Sequence, residues 1–300
     1  MDFGLLGSCH VTLATAGEGR ASRVHSPRDI SLVILVPALA FMVIFFIYPL
    51  CDILWKSISL PRLGMQNYVW FFTNNVNVAV SLRSFWTALI VSAVCLVLAY
   101  PYAYVMSRVR PRMRALLLAI VLTPLWTSLM VRTLAWIVLL QDTGVINDVL
   151  EMLGIGRLQL IRTTTGVIIG MAQMLMPFMV LPLYSVMSKI DGSLQLAAQS
   201  LGAKPSVAFW RIYVPLTKPG IFAGTMTVFV LSLGFYIIPA LLGSPRNTMI
   251  SAMIQQQVSG LLEWGRGSAM GIVLLVSTLI VIAIFMRLSR GLKLDGVGRL

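Results

Sequence analysis

Six stretches of roughly twenty residues carry almost no charge, and no other feature limits what this 300-residue chain can fold into so sharply. They run approximately over 31–51, 84–107, 115–140, 166–188, 219–242 and 269–286, and Arg132 is the one charged residue inside them. A bilayer core about 30 Å thick is crossed by about 20 helical residues at 1.5 Å each, so each stretch has the length of a transmembrane helix. Hydrophobic residues make up 58% of the chain and charged residues 11%, more apolar surface than a water-soluble core of this size hides. The alternation of about ten residues per strand that marks a membrane β-barrel is absent. The expected fold is therefore an all-α integral membrane protein of six transmembrane helices. Pro37, Pro101, Pro124, Pro177, Pro182 and Pro239 fall inside these stretches, where membrane helices tolerate proline because neighbours satisfy the freed carbonyls.

The net charge of +13 could suggest nucleic acid, but its placement argues for a membrane. Of the 23 Lys and Arg residues, 15 lie before the first stretch, between the second and third, between the fourth and fifth, or after the sixth. Only 7 occupy the alternate connections: Lys56, Arg62, Arg83, Arg157, Arg162, Arg246 and Arg266. Positive charge collects on the cytoplasmic side, so both termini are expected in the cytoplasm of a multi-pass protein. Residues 1–30 then read as a cytoplasmic tail, 31–290 as the membrane domain and 291–300 as a second cytoplasmic tail. The first tail has no apolar run of signal-peptide length, and Arg20, Arg23 and Arg28 would hold it inside.

Several chemistries are argued against by what is missing. No Gly-x4-Gly-Lys-Ser/Thr loop is present to cradle a nucleotide, so the chain should not bind and hydrolyse ATP by that route, and any energy it uses must come from elsewhere. The histidines, His10 and His25, lie in the tail, which leaves no zinc-protease motif. Cys9, Cys51 and Cys95 are far apart and imply neither a disulfide framework nor a metal cage. None of the six stretches contains Asp or Glu, which argues against an ion-coupled secondary transporter, the alternative class.

The connection at 189–218 is long and patterned. Leu194, Ala197, Ala198 and Leu201 recur at helical spacing with Gly202 as a stop. Pro205 suits the first turn of a second helix carrying Val207, Trp210 and Val214 on one face, which Pro215 and Pro219 are expected to end. Gln195, Gln199 and Ser200 are uncharged, so the helix pair suits contact with a protein better than with a lipid surface.

Leu196-Ala197-Ala198, then Gly202, then Ile212-Tyr213-Val214-Pro215 resembles the Glu-Ala-Ala-x3-Gly-x9-Ile-x-Leu-Pro hallmark of the inner-membrane permeases of ATP-binding-cassette importers. Leu196 stands where that family has Glu, and Val214 where it has Leu. The likeness extends over about 84–290 through Pro124–Trp136, Pro177-Phe-Met-Val-Leu-Pro-Leu-Tyr-Ser185 and Pro239-Ala-Leu-Leu-Gly243, and is nearest to permeases of the spermidine/putrescine type. The resemblance implies a type I importer permease fold in a bacterial inner membrane, with the loop at 189–218 docked on an ATPase through Leu196, Ala197, Ala198, Gly202, Ile212 and Pro215. It further implies an ATPase dimer that holds the ATP and Mg, a second permease subunit related to this one, and an extracytoplasmic solute-binding protein. No cofactor or catalytic residue is then expected in this chain. The cargo would be polyamine-like or another organic cation, with opines, phosphonates, ferric ion and oxyanions as alternatives.

Other residues have two readings. Arg132 either lines the pathway or touches a delivering protein, or it caps carbonyls near the outer interface. Gly166/Gly170, Gly220/Gly224 and Gly267/Gly271 have the spacing that lets helix backbones approach. Trp55, Trp86, Trp136 and Trp264, with Tyr100, Tyr102 and Tyr104, suit aromatic belts at the two interfaces, and such rings also bind organic cations.

Overall fold

A computed structural model describes residues 27–294. The tail residues Cys9, His10, Arg20, Arg23 and His25 and the stretch 295–300 lie outside the described residues, as does the side chain of Arg28. Helices make up the structure, with no strand among the described residues. Six are long and apolar enough to cross a membrane. The chain divides into two units, 1–51 and 52–300, and the division falls within the first helix, α1 (Pro27–Ser59). In the first unit Phe41, Phe45 and Phe46 are exposed, a surface suited to a hydrocarbon solvent.

The second unit continues with α2 (Gln66–Thr73), α3 (Asn75–Arg108), α4 (Pro111–Trp126), α5 (Leu129–Leu140), α6 (Val145–Met152) and α7 (Thr164–Met187). After these come α8 (Ser193–Ser200), α9 (Pro205–Ala208), a π turn at Phe209–Tyr213, α10 (Val214–Gly234), α11 (Ile237–Leu242), α12 (Ile250–Gln255) and α13 (Trp264–Leu294). Its core lies where α3, α7 and α10 cross. Ser92, Cys95, Ala99 and Ala103 form a buried stripe of small residues on α3. Met171, Leu175, Met179, Leu183 and Met187 supply the bulk on α7. Lipid is as apolar as leucine and drives no hydrophobic collapse, so small-on-large packing holds such helices together. A Cβ at Gly220 would lie 3.1 Å from the Pro182 carbonyl oxygen, and one at Gly224 would lie 3.2 Å from that of Met179. Of the three glycine pairs, this one seats α10 against the α7 backbone. Gly170 instead meets side chains of α11, and a Cβ at Gly271 would meet nothing within 4 Å.

Two of the expected crossings are not continuous helices. The stretch 115–140 breaks at Thr127 and Ser128 between α4 and α5, and the third membrane-length span is Leu129–Met152. Pro124 cannot donate to the carbonyl of residue 120, and its ring crowds the preceding turn. The opened end is capped from α5, where Arg132 Nη2 donates to the Thr127 carbonyl at 2.8 Å and to Thr127 Oγ1 at 2.7 Å. The stretch 219–242 breaks at Phe235 and Tyr236, four residues ahead of Pro239, which has no N–H to offer the Phe235 carbonyl. Ser251 Oγ on α12 donates to that carbonyl instead, at 2.7 Å. The fifth span itself begins far earlier than 219, at Pro205.

Candidate ATPase-coupling loop

The two helices expected between α7 and α10 form, joined by a tight turn. Asp191 stands just ahead of the first, whose N-cap is Gly192. Its carboxylate accepts the Ser193 N–H at 2.9 Å, and this bond, aided by the Ser193 side chain, holds the Asp191 carboxyl below the usual carboxylate range. An anion there also suits the positive end of a helix. Gly202 closes α8 with φ +89°, a conformation that costs residues with a Cβ but not glycine. The Ala203 N–H reaches the Ala198 carbonyl at 3.1 Å and the Gly202 N–H that of Gln199 at 2.9 Å, the bond pair of a Schellman cap.

Pro215 and Pro219 do not end the second helix. A π turn at Phe209–Tyr213 widens the backbone, the Val214 N–H bonds the Phe209 carbonyl, and the helix runs on as α10 with Pro215 in its first turn. The wider turn relieves the clash a proline ring makes with the carbonyl four residues back, so the chain passes from loop into membrane helix without a joint. Ile212 is half-buried in this turn and Tyr213 is fully buried.

α8 itself buries no residue. Leu196 is 65% exposed, Leu201 91% and Trp210 67%. Ala197 is exposed and Ala198 half-buried, so the short side chains border an open surface. Below it the base is packed. Phe209 stacks on Tyr213 with ring centres 5.6 Å apart, and Tyr104 lies edge-on to both, at 5.5 and 5.2 Å. Tyr100 donates to or accepts from Thr217 Oγ1 at 3.1 Å, and Tyr102 donates to the Leu117 carbonyl at 2.6 Å. These three half-buried tyrosines hold α3 to the loop, α10 and α4.

A family model described as "Binding-protein-dependent transport system inner membrane component" matches residues 96–294. The chain belongs to that family. This permease is 36% identical over 213 residues to the spermidine/putrescine transport system permease protein PotB of Escherichia coli (strain K12), covering 70% of this chain and 78% of that one. It is 28% identical over 289 residues to the inner membrane ABC transporter permease protein YdcU of the same organism, covering 88% of this chain and 91% of the other. In fold it is similar to a bacterial alginate ABC transporter, solved in complex with an alginate pentasaccharide-bound periplasmic protein, with a TM-score of 0.67, 21% identity, and coverage of 88% of this chain and 95% of that one. It is thus a permease subunit of an ABC importer, a multi-pass inner-membrane protein and not an enzyme. Permeases of this family work with a binding protein and an ATPase.

The permease brings Leu196, Ala197, Ala198 and Gly202 together on the open helix, and carries Ile212 and Pro215 one turn system away at its root. Arg132 lies on α5, outside this group. Sequence reasoning missed Arg108, counted only as one more cytoplasmic charge. Its guanidinium sits 5.4 Å from the Tyr104 ring centre and 5.3 Å from that of Tyr213, and Nη2 donates to Gln195 Oε1 at 2.6 Å. The signal that could have found it is the Tyr104/Arg108 pair one helical turn apart, facing an aromatic-rich loop.

Proposed function

We propose that this permease forms half of a membrane pathway that opens alternately to the two sides of the membrane, and that residues 189–218 are its ATPase-coupling element. The observation that carries this reading is the uncovered apolar surface of α8 and Trp210 on a base that continues without a break into α10. A partner groove would take up that surface, and Gly202 leaves room where the chain turns against it. Leu196, in place of the family's Glu, calls for an apolar lining in that groove. The pathway's other half would be a related permease subunit, and the ATP and Mg would sit on an ATPase dimer. With the loop on the cytoplasmic side, both termini share that side, in keeping with the distribution of positive charge. Arg132 reads as a cap on the break between α4 and α5.

The cargo we infer is a polyamine-like organic cation, on the strength of the PotB similarity. Among the six charge-poor stretches no carboxylate is available to select a polycation. Selectivity therefore rests with the binding protein. Proteoliposomes holding the assembled importer should take up labelled spermidine or putrescine only with loaded binding protein and ATP. Undiminished, selective uptake without the binding protein would contradict this division of labour, and uptake of an oxyanion or opine in place of polyamines would refute the cargo.

A further inference from the structure

Arg108 joins three elements that are otherwise separate in sequence. It stands in the last turn of α3, where the negative end of the helix favours a cation. From there its guanidinium reaches Tyr213 in the π turn and Gln195 on α8, 87 residues away. A Cβ built on Gly192, which opens α8, would lie 3.0 Å from its Nη1, so the planar group is laid directly against that backbone. Among the described residues, the Gln195 contact is the one side-chain hydrogen bond by which α8 reaches another element. α8 packs on α9 and the π turn of its own loop, and this bond is the side-chain link that ties it to α3.

We propose that Arg108 is a positioning residue that links the coupling helix to α3, a reading that rests on residues 189–218 being the coupling element. Displacement of α8 by an ATPase then travels by two routes. One is covalent, through the π turn into α10. The other runs through the guanidinium into α3, whose small-residue stripe packs on α7. The two routes drive helices that cross in one core, so α3 and α10 move together instead of sliding past each other. A guanidinium suits the task because it stacks on rings through its face while donating in its plane.

The test uses the assembled importer in nanodiscs and reads ATPase retention on purification alongside the stimulation of hydrolysis by loaded binding protein. Arg108→Ala should keep the ATPase bound yet lower the stimulation by about three- to tenfold, the scale of one charge-assisted hydrogen bond. Gln195→Ala should lower it in the same direction, and the double variant should be no worse than Arg108→Ala alone, since both remove one link. If Arg108→Ala fails to assemble, Gln195→Ala, which leaves the charge and the rings in place, carries the test. Stimulation within twofold of the unaltered permease in the assembled variants overturns the proposal, as do additive losses or loss of ATPase binding by Gln195→Ala. None of those results touches the coupling role of the loop, which Gly202→Val tests separately.

Discussion

Gly202→Val leaves the permease in the membrane and abolishes most of its transport. Residue 202 holds φ +89°, where a β-branched side chain costs roughly 1–3 kcal/mol of backbone strain. The chain itself offers the new side chain no obstacle, because a Cβ there meets nothing within 4 Å. The cost therefore falls on the turn and on any partner surface pressed against it. A chain that relieves the strain must give up the bonds from Ala203 to Ala198 and from Gly202 to Gln199, which fray the end of α8 and redirect Leu201. Membrane insertion, followed by extraction and gel filtration, should match the unaltered protein. Uptake in the reconstituted importer should fall by about tenfold or more, the equivalent of roughly 1.4 kcal/mol within that strain range, with hydrolysis no longer responding to loaded binding protein. Normal uptake by a well-inserted Gly202→Val would mean that the turn presses against nothing.

Gly224→Val acts on the fold itself, at the crossing of α10 and α7. A Cβ at 224 would lie 2.7 Å from Met179 Sδ and 3.2 Å from the Met179 carbonyl oxygen. The thioether can swing aside, but the carbonyl belongs to the α7 backbone and cannot. Accommodating two further methyl groups forces α10 off α7, and overpacking of this kind costs about 1–3 kcal/mol or more. The expected result is a markedly lower apparent melting temperature in detergent and a smaller folded fraction. Gly271→Val is the matched comparison: the same spacing motif on α13, with open space at its Cβ, should lose far less. Equal losses at the two positions would show that glycine in a membrane helix, and not the α7–α10 crossing, sets the effect.

The crossings were legible because the bilayer imposes a length and forbids charge, and both can be counted along a chain. The breaks were not. Pro101, Pro177 and Pro182 lie within continuous helices, whereas the helices part close to Pro124 and Pro239. At those breaks the freed carbonyls find donors in Arg132 and Ser251, partners that only the tertiary fold brings near. Likewise α8 and its Gly202 stop followed from apolar spacing, but Pro215 looked like a terminator because the π turn that absorbs it leaves no periodic trace. The aromatic base was hidden for a related reason. Tyr100 and Tyr104 lie near the end of a charge-poor stretch, where belt residues are expected, and only the tertiary fold brings them to Phe209, Tyr213 and Thr217.

If an ATPase covers the open face of α8 in the working importer, site-specific photo-cross-linking from that face will capture the contact. A photoreactive residue replaces Leu196, and a second permease carries it at Val97, which is 72% exposed within a membrane-length helix. Irradiation of membranes containing the whole importer should join Leu196 to the ATPase subunit. The Val97 probe should yield only lipid or permease adducts. Adducts from Leu196 to lipid or to the binding protein, with none to the ATPase, would show that α8 does not dock on the ATPase.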